Sequence, residues 1–201
     1  MTRLDFQDVR ALPSVFRALE IAAAGGHNLL LVGAHTRELA CRLPGILPPI
    51  GNAIRPYRAP HYTAQPIPLA QDVGLAYGGV LYLESAPEFR RAAMERVWGA
   101  GVLIVATMQP STDAVERGYR ERAASMLKGI DIVVHMGALN DPRLVNGEPT
   151  KVIQRRVVEA QRLLPRGGVV ASTIAALAGR FTVTKEHEEE AQRFLYTGVE
   201  S

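Results

Sequence analysis

The chain has one cysteine, Cys41, in 201 residues. A lone thiol excludes an intramolecular disulfide and any thiolate-based zinc cluster. Lysine is almost missing too: of 23 Lys and Arg residues, only Lys128, Lys151 and Lys185 are lysine. Aromatics make up 6% of the chain, with one Trp. No basic stripe interleaved with stacking rings is present, so DNA stays a partner that the sequence leaves open but does not support. No apolar run approaches the ~18 residues of a membrane helix, and the opening Met1-Thr-Arg-Leu-Asp5 has no apolar signal core. A cytoplasmic location with no membrane partner is therefore expected. None of the five histidines sits in a pattern with metal-ligand spacing, so no metal site is expected. Ser85 lacks the Gly-x-Ser-x-Gly elbow of a serine hydrolase.

What remains is the composition of an ordinary globular protein: 47% hydrophobic, mean hydropathy +0.02, net charge +3. The arginine clusters at Arg90-Arg91, Arg117/Arg120/Arg122 and Arg155-Arg156 read as solvated helix faces with acidic partners nearby, and so does Glu188-Glu-Glu190. Cys41 reads as a small core residue.

Periodicity places the elements. Val15, Ala18, Leu19 and Ala22 share one face of a helix over 12–24, opened by Pro13 and closed by Gly25-Gly26. The near-continuous apolar run 28–32 predicts a strand of a parallel sheet covered on both faces. A helix over 36–43 follows, capped by Thr36 and stopped at Pro44-Gly45. Residues 44–71 are Pro-rich, with short extended pieces at most. Strands are expected at 79–83, 101–107 and 130–135, with helices at 87–98 and 115–127. A turn-rich linker at 140–149 leads to helices at 150–164, 169–178 and 184–195, the last capped by Thr184 with His187 and Glu188 in its first turn. Alternating strands and helices predict an α/β fold, an αβα sandwich with a mostly parallel sheet.

Several segments carry a resemblance. Asp5-Phe-Gln-Asp-Val9, the run Arg17 to Gly33 and Leu43-Pro-Gly-Ile-Leu-Pro-Pro49 stand in order. They are followed by Arg55-Pro-Tyr-Arg-Ala-Pro-His-Tyr-Thr63 and Gly79-Val-Leu-Tyr-Leu-Glu-Ser-Ala-Pro-Glu-Phe89. Together they resemble the ComM (YifB) proteins, the magnesium-chelatase-like branch of the AAA+ ATPases. The fourth and fifth segments are similar to that family's R-P-F-R-A-P-H-H-T and G-V-L-F-L-D-E-L-P-E-F. The resemblance implies a P-loop-type core over 1–145 and a small C-terminal helical lid over 146–201.

It also implies a nucleotide site that this sequence departs from. The phosphate loop should read G-x-x-x-x-G-K-[ST], but Gly33-Ala-His-Thr-Arg-Glu-Leu39 has no second glycine and no lysine. The loop is three residues shorter than the family's, which puts Thr36 at the lysine position and Arg37 at the magnesium-binding hydroxyl position. His35 and Arg37 are the only nearby groups that could compensate, while Glu38 repels a triphosphate. Glu84 stands for the magnesium-associated Asp, and Ser85 for the Glu that activates water. Gln109 stands for the asparagine that positions it, and Lys128 for an arginine before the fourth strand. Insertions before Arg55 and after residue 98 are trimmed, and the family's Cys-rich insertion after the third strand is replaced by Gln109-Pro-Ser-Thr-Asp113.

The degenerate nucleotide positions are thus Gly33, His35, Thr36, Arg37, Glu84, Ser85, Gln109 and Lys128. The expectation is a pseudo-ATPase with no catalytic residue and no cofactor. It would act as a binding or assembly partner, with another protein, an active AAA+ relative among the candidates, as its target. The alternative is a low-activity ATPase that uses ATP and magnesium, coupled to DNA processing or metal chelation as in the family. A third reading is an anion scaffold at the helix N-terminus near Thr36.

Overall fold

The computed structural model describes residues 4–51, 53–95, 97–109, 128–164 and 168–195. The expected helix at 115–127, with Arg117, Arg120 and Arg122, lies outside them.

A 3-10 turn, Phe6–Asp8, and a two-residue strand β1 (Arg10–Ala11) precede helix α1 (Pro13–Gly25). Pro13 fits the first turn because its missing N–H would have no partner there. Gly26, at φ 70°, closes the helix in the left-handed conformation. Strand β2 (Leu29–Val32) follows, then α2 (Thr36–Ala40) and α3 (Leu43–Ile46). The expected single helix 36–43 is thus two short ones. Pro44 does not stop a helix but stands in the first turn of α3, where it interrupts no hydrogen bond.

Strand β3 (Tyr57–Arg58) is followed by α4 (Pro66–Leu75), β4 (Val80–Leu83), a 3-10 turn Ala86–Glu88 and α5 (Arg91–Met94). The expectation of only extended pieces over 44–71 missed the start of α4. Its prolines are concentrated in the first turn, where helices accept them. The helix expected at 87–98 contracts to the turn and α5. Strands β5 (Leu103–Met108), β6 (Ile132–His135) and β7 (Val145–Asn146) then lead to α6 (Thr150–Leu163), α7 (Val170–Leu177) and α8 (Lys185–Gln192). Part of the expected linker is therefore β7, which pairs antiparallel with β1.

The main sheet has the order β3-β4-β5-β2-β6, and every pair in it is parallel. Alternate residues of each strand enter two separate apolar layers. Leu29 and Leu31 of β2, with Val80, Tyr82, Val105 and Ile132, face α1, α3 and α6–α8. Leu30 and Val32, with Leu81, Leu83, Ile104 and Ala106, face α4 and α5. This is the αβα sandwich. The outer edge of β6 does not stand open: the Val133 N–H donates to the Phe194 carbonyl at 2.8 Å.

The division at residues 145/146 is a proposal about folding units. The C-terminal helices contribute Ile153, Val157, Ile174 and Ala191 to the same buried cluster as α1. Two charge clamps run alongside. Arg156 binds Glu148 bidentately and reaches the buried Glu20 of α1 at 2.6 Å, while Arg17 of α1 reaches Glu190 of α8 at 2.7 Å. Arg156 and Glu190 are therefore interhelical ties rather than solvated positions. Cys41 is not a core residue; it is half-exposed at the end of α2, its Sγ donating to the Glu38 carbonyl at 3.2 Å.

The turn before β2 is held by polar side chains. Asn28 accepts from the Ile104 N–H through Oδ1, donates to the Gly129 carbonyl through Nδ2, and gives its backbone N–H to Asp131. His27 is buried, with its Nε2 2.7 Å from the Thr173 hydroxyl of α7. Burial pushes the His27 imidazole below its ordinary value of 6.5, opposed in part by the Asp131 carboxylate. The unfolded chain therefore binds more protons than the folded one just below pH 6.5, and stability falls as the pH drops through that window toward the folded value. The Tm should fall more steeply between pH 7.5 and pH 5 in the wild type than in His27→Gln. Equal slopes would show that His27 does not titrate on unfolding.

Candidate functional site

The carboxyl ends of parallel strands in an open α/β sheet are where ligands bind, and most of the expected site residues gather there. The chain leaves β2 at Gly33, whose N–H donates to the Met108 carbonyl at the end of β5 (2.9 Å). Gly33 has φ 132°, and a Cβ there would come within 2.9 Å of Met136 Cβ, so only glycine is accommodated without strain. Three residues, Gly33 to His35, connect β2 to α2. His35 makes the turn in the left-handed region at φ 61°, a conformation uncommon outside glycine.

Thr36 opens α2 and points into the sheet. It is 6% exposed, and its hydroxyl lies 2.9 Å from the Tyr82 hydroxyl of β4, a residue 1% exposed. Burial pushes the Tyr82 phenol up, partly offset by the Thr36 hydrogen bond, so the ring stays a neutral hydrogen-bonding phenol at physiological pH. Tyr57 of β3 stacks beside Tyr82, centroids 6.3 Å apart at 24°. Its own phenol is also raised by burial, and its hydroxyl is buried with no partner among the described residues.

The next pair lies at the surface. Arg37 Nη1 is 3.7 Å from Glu84 Oε2 at the end of β4, with side chains 65% and 58% exposed. Ser85 follows at φ 52°, its N–H donating to Thr107 Oγ1 at 3.1 Å. Glu38 does not point free into the site: Arg42, buried, lies 3.7 Å from its carboxylate and donates to the Glu38 carbonyl at 2.6 Å.

Beside the loop lies a cleft of about 430 Å³. Gly33, His35, Glu38 and Gln109 line one side, Asp8 and Arg10 another, and Met136 to Leu139 a third. Arg10 donates to the Leu144 carbonyl at 3.0 Å. Thus Gly33, His35, Thr36, Arg37, Glu84, Ser85 and Gln109 converge at one end of the sheet. Lys128 does not. It precedes Gly129, which binds Asn28 ahead of β2, and so sits at the amino end of the strands. Among the described residues no group of three or more His, Cys, Asp or Glu could hold a metal ion, and no helix is long and apolar enough to cross a membrane.

Sequence reasoning missed Tyr82, Tyr57 and Thr107. A signal was available for Tyr82, which stands where the resembled motif has Phe.

Comparison with known proteins follows the same segments. The family description "magnesium chelatase, subunit ChlI" matches residues 5–54. YifB of Salmonella typhimurium is 37% identical over an alignment of 124 residues, taking in 45% of this chain and 24% of that protein. YifB of Escherichia coli is 36% identical over the same length and shares. The competence protein ComM of Haemophilus influenzae is 34% identical over 125 residues, 46% of this chain and 25% of that protein. The chain thus spans about a quarter of the length of these relatives. Among solved structures, NtrX from Brucella abortus aligns over 93% of this chain and 51% of that one, with TM-score 0.47 and 14% identity.

Proposed function

Because the chain is a member of the magnesium-chelatase-like, ComM/YifB family, we propose that it is a pseudo-ATPase module that serves as a binding or assembly partner of another protein. The observation that carries this reading is the engagement of Thr36 and Arg37 with β4. At the position of a phosphate-binding lysine stands a buried hydroxyl bonded to Tyr82. At the position of a magnesium-binding hydroxyl stands a guanidinium paired with Glu84. The residues present do not fit a magnesium triphosphate. Three residues between β2 and α2 are too few to arch around a β-phosphate with successive N–H groups. A missing charge-assisted contact alone weakens binding by about 1.5–3 kcal/mol. Ser85 offers no general base for water, since a serine hydroxyl does not take a proton at neutral pH unless another base activates it.

The retained cleft favours a second reading, a weak ATP-dependent activity of the ComM type, because space for a ligand persists beside Gly33. Calorimetric titration with ATP and magnesium, with a turnover assay, separates the two. The pseudo-ATPase reading expects no binding tighter than millimolar and no hydrolysis; micromolar binding with turnover overturns it. The partner role is tested by titrating the chain into an active ComM-like ATPase from the same cell. A saturable change in that enzyme's turnover supports it, and none up to high micromolar concentration refutes it.

A further inference from the structure

We infer that the Thr36–Tyr82 hydrogen bond is a latch that holds α2 down on the carboxyl end of the sheet and keeps the loop in its closed turn. The inference rests on the pseudo-ATPase reading and says what physically closes that site.

Among the described residues two polar side-chain contacts, beside the apolar packing of Leu39 and Ala40, join α2 to the end of β4, and their surroundings decide between them. Arg37–Glu84 is solvent-exposed at 3.7 Å. Such a pair gains little in high dielectric and is screened by physiological salt. Thr36–Tyr82 is buried at 2.9 Å. Opening α2 would take from the buried phenol one of its two hydroxyl partners, Thr107 being the other, and loss of a buried hydrogen bond is costly. The stacked ring of Tyr57 covers the bond on one side. The Tyr57 hydroxyl, buried with no partner among the described residues, does not bond Tyr82, so Thr36 and Thr107 are the hydroxyls that hold the phenol.

The chain order supports the same assignment. His35 turns in the left-handed region immediately before Thr36, and a non-glycine residue holds such a conformation only where neighbours over-determine it. Gly33 is fixed on the other side of the turn by the Met108 carbonyl. The turn is thus anchored at both ends, by a backbone bond at Gly33 and by a side-chain bond at Thr36. α2, five residues long, is too short to persist by itself. Thr36 and Tyr82 both differ from the motif that this region resembles, which has Lys and Phe there, and they meet each other. Neither substitution alone would create the bond.

Hydrogen exchange of the α2 amides, with those of β2 and β5 as internal reference, tests the latch. Tyr82→Phe and Thr36→Val should each speed exchange at Cys41 and Arg42 about tenfold relative to the reference strands, as expected for loss of one buried hydrogen bond. The double variant should be no faster than the faster single one, because both remove the same bond. Glu84→Gln should change exchange by less than about twofold. Singles within twofold of wild type, singles whose effects multiply, or a Glu84→Gln effect as large as theirs would overturn the inference. ATP titration of the wild type is a separate readout: micromolar binding there would refute the pseudo-ATPase reading whatever the exchange result.

Discussion

Thr36→Lys, which places a lysine as in the G-x-x-x-x-G-K-[ST] pattern, is expected to destabilise the protein and to bring no ATP binding. Position 36 is nearly closed to solvent, and its neighbours are a phenol and a stacked aromatic ring. An ammonium placed there would lose its hydration without a carboxylate to face. It would also remove one of the two hydroxyls, Thr36 and Thr107, that hydrogen-bond Tyr82. The lysine stem can escape part of the penalty by extending toward Glu84 at the surface, where Arg37 already competes for the carboxylate. The balance is a loss of about 2 kcal/mol, a fall of roughly 4–8 °C in Tm for a domain of this size. Thermal unfolding and calorimetry together check it. A variant that keeps its Tm and takes up ATP with micromolar affinity would show that only a side chain, and not the loop's path, had been lost.

Gly79→Ala is expected to have a larger effect on stability, although Gly79 carries no functional group. A Cβ at this position would lie 2.1 Å from the Pro56 carbonyl oxygen and 2.7 Å from Pro56 Cδ. These are backbone and ring atoms, which cannot rotate aside as a flexible side chain would. The same Pro56 carbonyl accepts the Val80 N–H at 2.9 Å and starts the pairing of β3 with β4. Relieving the clash therefore means moving β3, and with it Tyr57 off the face of Tyr82. Overpacking of this kind costs about 3 kcal/mol when backbone must shift, roughly 6–12 °C in Tm. Near-ultraviolet circular dichroism should report the loss of the tyrosine pair. A Tm within 2 °C of wild type would mean that the edge strand yields at little cost.

The two variants also separate what could be read from the chain from what could not. Helix α1 and strands β2, β4 and β5 were legible because their apolar residues follow the helical period or form continuous buried runs. Helix α4 was not. Its prolines look like punctuation until their place in a first turn is known, and a helix start is a matter of one or two residues. Strand β7 was hidden for a different reason: two residues have no period, and at the Arg10↔Asn146 pair its partner β1 lies 136 positions away in sequence.

The site divides in the same way. Gly33, His35, Thr36, Arg37, Glu84, Ser85 and Gln109 could be named from the resemblance of short segments to the family's motifs, and the fold brings them to one end of the sheet. What each side chain does there depends on neighbours far along the chain. Thr36 faces a tyrosine 46 residues on, and Arg37 a glutamate at position 84. Lys128 was grouped with them from its place before a strand, yet that places it at the opposite end of the sheet.

By itself, then, the order of residues determined the layers: which runs are buried on both faces, that the sheet is mostly parallel, and that residues 33–39 hold no lysine. Only the tertiary structure decided that Thr36 is an interior residue, bonded to Tyr82, with Arg37 turned to Glu84. The physical reason is that burial of a strand follows from local apolar pattern, whereas a hydrogen bond or ion pair exists only when the fold brings two distant groups within about 3–4 Å.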